Sequence, residues 1–465
     1  MLFKPHDYQS HASLFARTRY ALGETGAAIF GDPGVGKTAT TLKMIRDMGT
    51  DVSKTLIVAP LRVCYLVWPQ ENEDWQFDFR VSIVHGTAGK RVKALHTESD
   101  IYLINPEGIP WLQLQRGTLG KIGFDLLVLD ELTKFKNWNA KRSRALRKML
   151  PGFKYRLGLT GTPSPNTVLD LHSQAYMMDD GDTLGKTKTI FCARYMTKGG
   201  YRGRAWVPSD GAGESVQKAI SPMALRLDAN DYLDMPDLLI NDIDVEMPPK
   251  LVKVYKKFEL ELFAELASGE DLTATNAGAK YALCRQLANG AAYQPVDPAE
   301  PQRRVSLFHD AKLDALQDLV DELQGKPLLV GYQFKHDVAR LSTLFPNAPV
   351  IAGGVSAEDT DRIVGEWNAG DHPVLFAQPQ AMGHGLNLQK CANDVAWFGL
   401  TDNLETYLQF NARVYRQGVS GSQVRIHRFL TRGTVDMAIR DRIDSKNDRQ
   451  ATLLDSLNEY RDKAA

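Results

Sequence analysis

Ile29-Phe30-Gly31-Asp32-Pro33-Gly34-Val35-Gly36-Lys37-Thr38 decides how the rest of the chain is read. An apolar run enters a glycine-rich turn, and the turn enters a helical pattern from Ala39 to about Met48. The spacing of Gly31, four residues, then Gly36-Lys37-Thr38 is that of a phosphate-cradling loop. Glycines let the backbone curl so that successive N–H groups face phosphate oxygens, and the following helix adds its positive end. In such a loop Lys37 reaches the β- and γ-phosphates and the Thr38 hydroxyl is a Mg²⁺ ligand. Gly31, Asp32, Pro33, Gly34, Val35, Gly36, Lys37 and Thr38 are therefore the candidate ATP-binding set.

Short aliphatic runs surround the loop: Thr55–Pro60, Val81–Val84, Ile101–Ile104 and Leu126–Leu129. Alternating with helical stretches, they predict βαβ units and a parallel sheet whose ligands sit at the strands' carboxyl ends. Leu126–Leu129 runs into Asp130-Glu131. There Asp130 would hold the Mg²⁺ shell and Glu131 would orient the attacking water. Another strand ends at Thr160-Gly161-Thr162, so all three groups can converge on one crevice. Upstream, the Gln9 amide both donates and accepts, which suits an adenine edge.

Four hundred and sixty-five residues suggest two or three domains, and 43% hydrophobic with 24% charged residues is the balance of a globular protein. Fifty-six basic and fifty-six acidic residues exclude a polycation, so any nucleic-acid binding must come from local patches. Cys64, Cys192, Cys284 and Cys391 show no metal-ligand spacing, so reduced thiols are expected, without disulfides or structural zinc. No apolar run reaches membrane-spanning length and no signal-peptide core follows Met1; the expectation is a cytoplasmic protein with no membrane partner.

From about Lys186 to Arg304 the parallel-strand rhythm breaks. Arg202 and Arg204 lie beside Tyr201 and Trp206 in a loop or hairpin, which suits phosphate contact with base stacking and equally suits a solvated surface hairpin. Asp228 to Glu246 is acidic and reads as a connector, Val252–Leu266 and Ala279–Ala288 as helices, and Pro295–Arg304 as a linker. The βα rhythm returns with a helix over Lys312–Leu323 and strands near Leu328–Gly331, Val350–Ile351 and Val374–Ala377, without a second phosphate loop. Gln409, Arg413 and Arg416 stand at i, i+4 and i+7, which puts them on one helical face. Two aligned guanidiniums can meet the charge of a transferring phosphoryl group; ordinary surface arginines are the other reading.

In order, Gln9, Gly31–Thr38, Asp130-Glu131-Leu132-Thr133, Leu159–Pro163, Gly383–Leu388 and Gln409–Gly418 resemble the Q motif and motifs I, II, III, V and VI of superfamily-two helicases. Trp68 after Thr55–Pro60, Lys136-Asn137 after Asp130-Glu131, and Leu171–Phe191 resemble the Swi/Snf-type branch of DNA translocases, in the compact form found in bacteriophages. Asp-Glu-Leu-Thr departs from the DEAD-box pattern, and Thr401-Asp402-Asn403 stands where Swi/Snf relatives show Trp-Asn-Pro. The resemblance implies an α/β fold of two RecA-like parallel-sheet lobes with a mainly helical insertion: lobe one 1–180, insertion 181–305, lobe two 306–440 and a helical tail 441–465. It implies a monomeric ATP-dependent DNA translocase or helicase of a bacterial or phage-infected cytoplasm, using ATP and Mg²⁺. Lys37, Asp130, Glu131, Gln409, Arg413 and Arg416 would be catalytic. Thr160, Thr162, Gly383, Gly385, Asn387, Arg202 and Arg204 would contact nucleic acid or couple it to ATP. The rival readings are an RNA helicase, an annealing or protein-displacing motor, a ring-forming P-loop ATPase and a nucleic-acid-binding module.

Overall fold

A computed structural model of the chain describes residues 3–163, 168–199, 205–268, 274–294, 304–382 and 386–447. The chain divides into two compact units, with the division at Leu233/Asp234. The first unit carries β1 (Gly26–Gly31), β2 (Thr55–Val58), β3 (Val81–Ile83), β4 (Ile101–Ile104), β5 (Leu126–Asp130) and β6 (Tyr155–Thr160). An antiparallel hairpin of β7 (Met196–Gly199) and β8 (Ala205–Pro208) follows, then β9 (Ala224–Leu227). The main sheet has the order β3-β4-β2-β5-β6-β1-β9, with every pairing parallel.

Burial explains the strand composition. Leu56-Ile57-Val58, Ile101–Ile104 and Leu126–Leu129 are buried along their whole length, which a sheet covered on both faces requires. Parallel pairing needs a crossover between successive strands and leaves all carboxyl ends on one edge. On that edge β2, β5, β6, β1 and β9 are consecutive neighbours.

The second unit carries β10 (Asp237–Val245), the antiparallel pair β11 (Ala291–Tyr293) and β12 (Val305–Leu307), then β13 (Leu328–Gly331), β14 (Val350–Ile351), β15 (Val374–Ala377), β16 (Asp394–Trp397) and β17 (Gln423–Thr431). Its main sheet has the order β10-β17-β16-β13-β15-β14, again all parallel. Side chains alternate between two cores. Leu329, Leu375, Val395 and Trp397 join one with Trp367 and Phe410, while Leu328, Val330, Phe376 and Ala396 join the other with Leu316 and Leu341. Both units are thus α/β with parallel sheets, as the fold class anticipates.

The stretch expected to be an insertion is divided between the units. β9 supplies the edge strand of the first sheet, and β10 pairs in parallel with β17 over nine residues at an edge of the second. Composition hid β10 because it is largely solvent-exposed, and its acids serve as partners. Asp242 grips Arg428 through both oxygens, at 2.5 and 3.0 Å, and Asp244 meets Arg432 at 2.9 Å. The two expected helices are present, as Pro249–Ser268 and Ala274–Ala288, and Tyr255, Cys284 and Leu287 place them in a core of the second unit. Of the expected linker Pro295–Arg304 all but Arg304 lies outside the described residues, as does the expected tail beyond 447.

One buried polar knot staples the second unit. The Lys312 ammonium, with no exposed side-chain surface, donates to Asp436 at 2.6 Å and to Asn289 at 2.9 Å. Asp436 also accepts the Thr431 N–H, and Asn289 donates to Asp337 at 3.0 Å. Removing one partner strands a charge out of water, at a cost of about 3–5 kcal/mol. Asp436→Leu alone should lower the unfolding free energy of the second unit by that amount, read as a lower urea midpoint. The double variant Lys312→Met/Asp436→Leu should recover most of the loss, as monitored by tryptophan fluorescence.

Candidate active site

The phosphate loop, Asp130-Glu131 and Thr160 are delivered by the carboxyl ends of strands. β1 ends at Gly31 and releases the loop that α2 (Lys37–Met48) closes. Gly34 and Gly36 hold φ of +91° and +72°, in the left-handed region where a side chain is costly. A Cβ on Gly36 would also fall 2.4 Å from Gln9 Nε2. Gln9 lies in α1 (Asp7–Ala21), where its Nε2 donates to Val35 O at 3.2 Å and its Oε1 accepts the His6 N–H at 2.9 Å. The amide is thus committed first to the loop itself, with one N–H and one lone pair left over.

Lys37 donates to its own loop, to Gly31 O at 2.6 Å and Asp32 O at 2.9 Å. Burial pulls its ammonium below the ordinary value, while Glu131, Asp130 and Asp32 act in the opposite direction. Asp32 turns its carboxylate onto Arg226, an arginine inside the apolar strand β9.

β5 ends in Asp130, which is paired with Leu159 of β6, and the next residue, Glu131, has φ +75°. A non-glycine residue held left-handed at a strand end carries backbone strain, which the surrounding structure must fix. Three contacts do so. The Glu131 N–H donates to Leu159 O at 3.0 Å, and its Oε1 accepts the hydroxyls of Thr133 at 2.6 Å and Thr160 at 2.8 Å. Thr160 Oγ1 in turn accepts the Thr162 N–H at 3.1 Å. The two threonines expected to couple sites are therefore wired to Glu131.

Asp130 has a partner that sequence reasoning quoted without a role. The indole N–H of buried Trp68 donates to Asp130 Oδ2 at 2.9 Å. Trp68 follows β2 through a π-helical turn, Val63–Val67, and β2 is the neighbour of β5. Burial pushes the Asp130 carboxyl up to about 6, against the opposing pull of Trp68 and Lys37. Among the described residues no group of three His, Cys, Asp or Glu side chains could hold a metal alone. An oxygen set of Thr38 and Asp130 suits Mg²⁺ that arrives on phosphates and keeps most of its waters.

In the second unit the expected helical face is cut short. The helix Leu404–Asn411 carries Gln409, but it ends before Arg413 and Arg416, which lie in the turns that follow. Two contacts stop it: the Asn411 side chain accepts the Trp397 indole N–H at 2.9 Å, and Leu388 N–H bonds to Arg413 O at 3.0 Å. Arg413, nearly buried, donates to Gln409 O at 2.9 Å and Leu386 O at 3.2 Å, and Arg416 donates to the Asn387 side chain. Motifs V and VI are thus joined through Asn387. Gly383, Gly385, Arg202 and Arg204 lie outside the described residues.

Sequence reasoning missed Arg226 and Thr133 as site residues. An arginine in Ala224-Leu225-Arg226-Leu227 was a signal, since a charge in an apolar strand needs a partner.

Comparison with known proteins assigns the family. Residues 8–178 match the SNF2-related domain and residues 311–418 the helicase conserved C-terminal domain. Protein p41 of Acyrthosiphon pisum secondary endosymbiont phage 1 is 35% identical, with 91% of this chain and 93% of that protein covered. YwqA of Bacillus subtilis, named among ATP-dependent helicases/translocases, is 25% identical over 93% of this chain and 47% of its own. The human DNA excision repair protein ERCC-6-like is 24% identical over 93% of this chain and 40% of its own. The chain spans less than half the length of the latter two. From its motifs, its two parallel sheets and these matches, the chain belongs to the SNF2-related family of helicase-type ATPases.

Proposed function

We propose that the protein is a DNA translocase in which MgATP hydrolysis in the first unit is completed by arginines of the second. The observation that carries the reading is the wiring of Glu131, just past the end of β5, to Thr133 in the turn that follows and to Thr160 on β6, the neighbour of the strand that delivers the phosphate loop. A carboxylate held this firmly beside Lys37 and Asp130 suits the task of orienting a water in line with a γ-phosphate. Mg²⁺, held by Thr38, Asp130 and the phosphates, would neutralise the developing charge. Lys37 would exchange Gly31 O and Asp32 O for phosphate oxygens. Arg413 and Arg416 would add positive charge as the units close, so that hydrolysis is linked to a change between lobes. Thr160 and Thr162 offer a route by which the state of the nucleotide alters the backbone after β6.

DNA as the track is supported by the family and by a human relative named for DNA repair. A backbone-tracking motor binds without base preference and loses affinity steeply with salt. ATPase rates measured in parallel on duplex DNA, single-stranded DNA, forked DNA and RNA should be highest with duplex; a maximum with RNA, or no stimulation by any of them, would reject the reading. Glu131→Gln should lower kcat by about 10²–10⁴-fold and Arg413→Ala by about 10³-fold or more, with nucleotide affinity preserved in both.

The Trp68 hydrogen bond gives a pH signature. An N–H donor favours the charged carboxylate, so it lowers the Asp130 pKa against the lift from burial. Activity that needs ionised Asp130 should fall as pH drops through about 6. Removing a bond to a charged group costs on the order of 1.5–3 kcal/mol, or one to two pH units. Trp68→Phe should therefore move the acid limb of kcat/KM upward by about one unit; an unmoved limb would remove Trp68 from the site.

A further inference from the structure

Arg226 is bonded to the place where β1 passes into the phosphate loop. It is 5% exposed. Its two terminal nitrogens grip both oxygens of Asp32, at 2.8 and 2.9 Å. The same guanidinium donates to Phe30 O at 3.2 Å, to Leu227 O at 3.1 Å and to Asp228 at 3.2 Å. Asp32 accepts a further N–H from Ala229 at 3.0 Å. Phe30 O and Asp32 belong to the last turn of β1 and the first of the loop, and Gly31 lies in register with Leu227.

We propose that Arg226 is a positioning residue for nucleotide binding, acting through Asp32 to fix the path by which β1 enters the phosphate loop. An unpaired carboxylate at Asp32 would face an incoming polyphosphate as a like charge. Clamped in the fork of Arg226, it is neutralised and turned toward β9, and its backbone carbonyl stays where Lys37 finds it at 2.9 Å. A bidentate guanidinium–carboxylate pair fixes orientation as well as distance, which a lysine in the same place cannot do. The clamp sits just before the chain passes at Leu233 into the second unit. Tyr232 in that exit segment stacks on Tyr8 at 4.6 Å, beside the glutamine that holds the other end of the loop. The exit from the first unit is thus fastened to both sides of the phosphate loop.

This assignment rests on the nucleotide-site reading and not on DNA as the track. Calorimetric titration of the full-length protein with MgADP tests it apart from activity, alongside thermal midpoints. Arg226→Met and Asp32→Asn should each weaken MgADP at least tenfold, Arg226→Lys should fall between Arg226→Met and wild type, and the double variant should be no weaker than the worse single one. Asp32 is a quarter exposed, so Asp32→Asn keeps the test open should Arg226→Met fail to fold. A lowered midpoint with MgADP affinity within twofold of wild type would reduce Arg226 to a fold residue and overturn the proposal. So would multiplying losses in the double variant, which would mean Asp32 meets the nucleotide independently. Wild-type protein that binds no MgADP would overturn the assignment together with the nucleotide site on which it rests.

Discussion

A loop that binds phosphate with its own backbone N–H groups cannot spend those groups on holding itself together. Its shape must be imposed from outside, and the first unit is arranged to do so. Gln9 holds Val35 O from one side. Arg226 holds Asp32 and Phe30 O from the other. Gly34 and Gly36 permit the positive φ between them. Even Lys37 lies along the loop, on carbonyls it can give up. The order β2-β5-β6-β1-β9 follows the same logic, since each neighbour of β1 and β5 brings a side chain to the loop or to its acidic partners.

The second unit repeats the parallel sheet without that burden. The sequence holds no second phosphate loop, and among the described residues polar order there goes into joining segments distant in sequence. Arg413 ties the turn after the helix Leu404–Asn411 to Leu386, and Lys312 ties the start of one helix to Asp436. Both use charge-assisted bonds to fix a geometry that apolar packing alone would leave loose. An arginine parked on carbonyls is also poised to move, because a phosphate offers the same bonds with more charge.

Much of this was legible in the sequence. Glycine spacing marked the loop, and aliphatic runs marked the strands, because a doubly covered parallel strand is apolar throughout. Tertiary choices were not legible. Nothing local says that Glu131 adopts φ +75°, since that conformation is imposed by Leu159, Thr133 and Thr160. The i, i+4, i+7 spacing of Gln409, Arg413 and Arg416 was read as one helix, but Trp397 captured the Asn411 side chain and the helix ended. Trp68 and Arg226 were visible as residues, while their partners, Asp130 and Asp32, became evident only when the strand order was known.

The acidic strand β10 has a consequence of another kind. It forms an edge of the second sheet and exposes Leu238, Leu239 and Ile240 beside an open row of backbone groups. Such a rim invites the strand of a neighbouring molecule to add on, the first step toward aggregation. Asp237 stands exposed at the start of the same strand, and Asp242 and Asp244 further along it are held by Arg428 and Arg432. The acids that made β10 look like a connector therefore bind the strand to Arg428 and Arg432 and keep this rim charged rather than wholly apolar. A version with valines in their place would be easier to recognise as a strand, and harder to keep in solution.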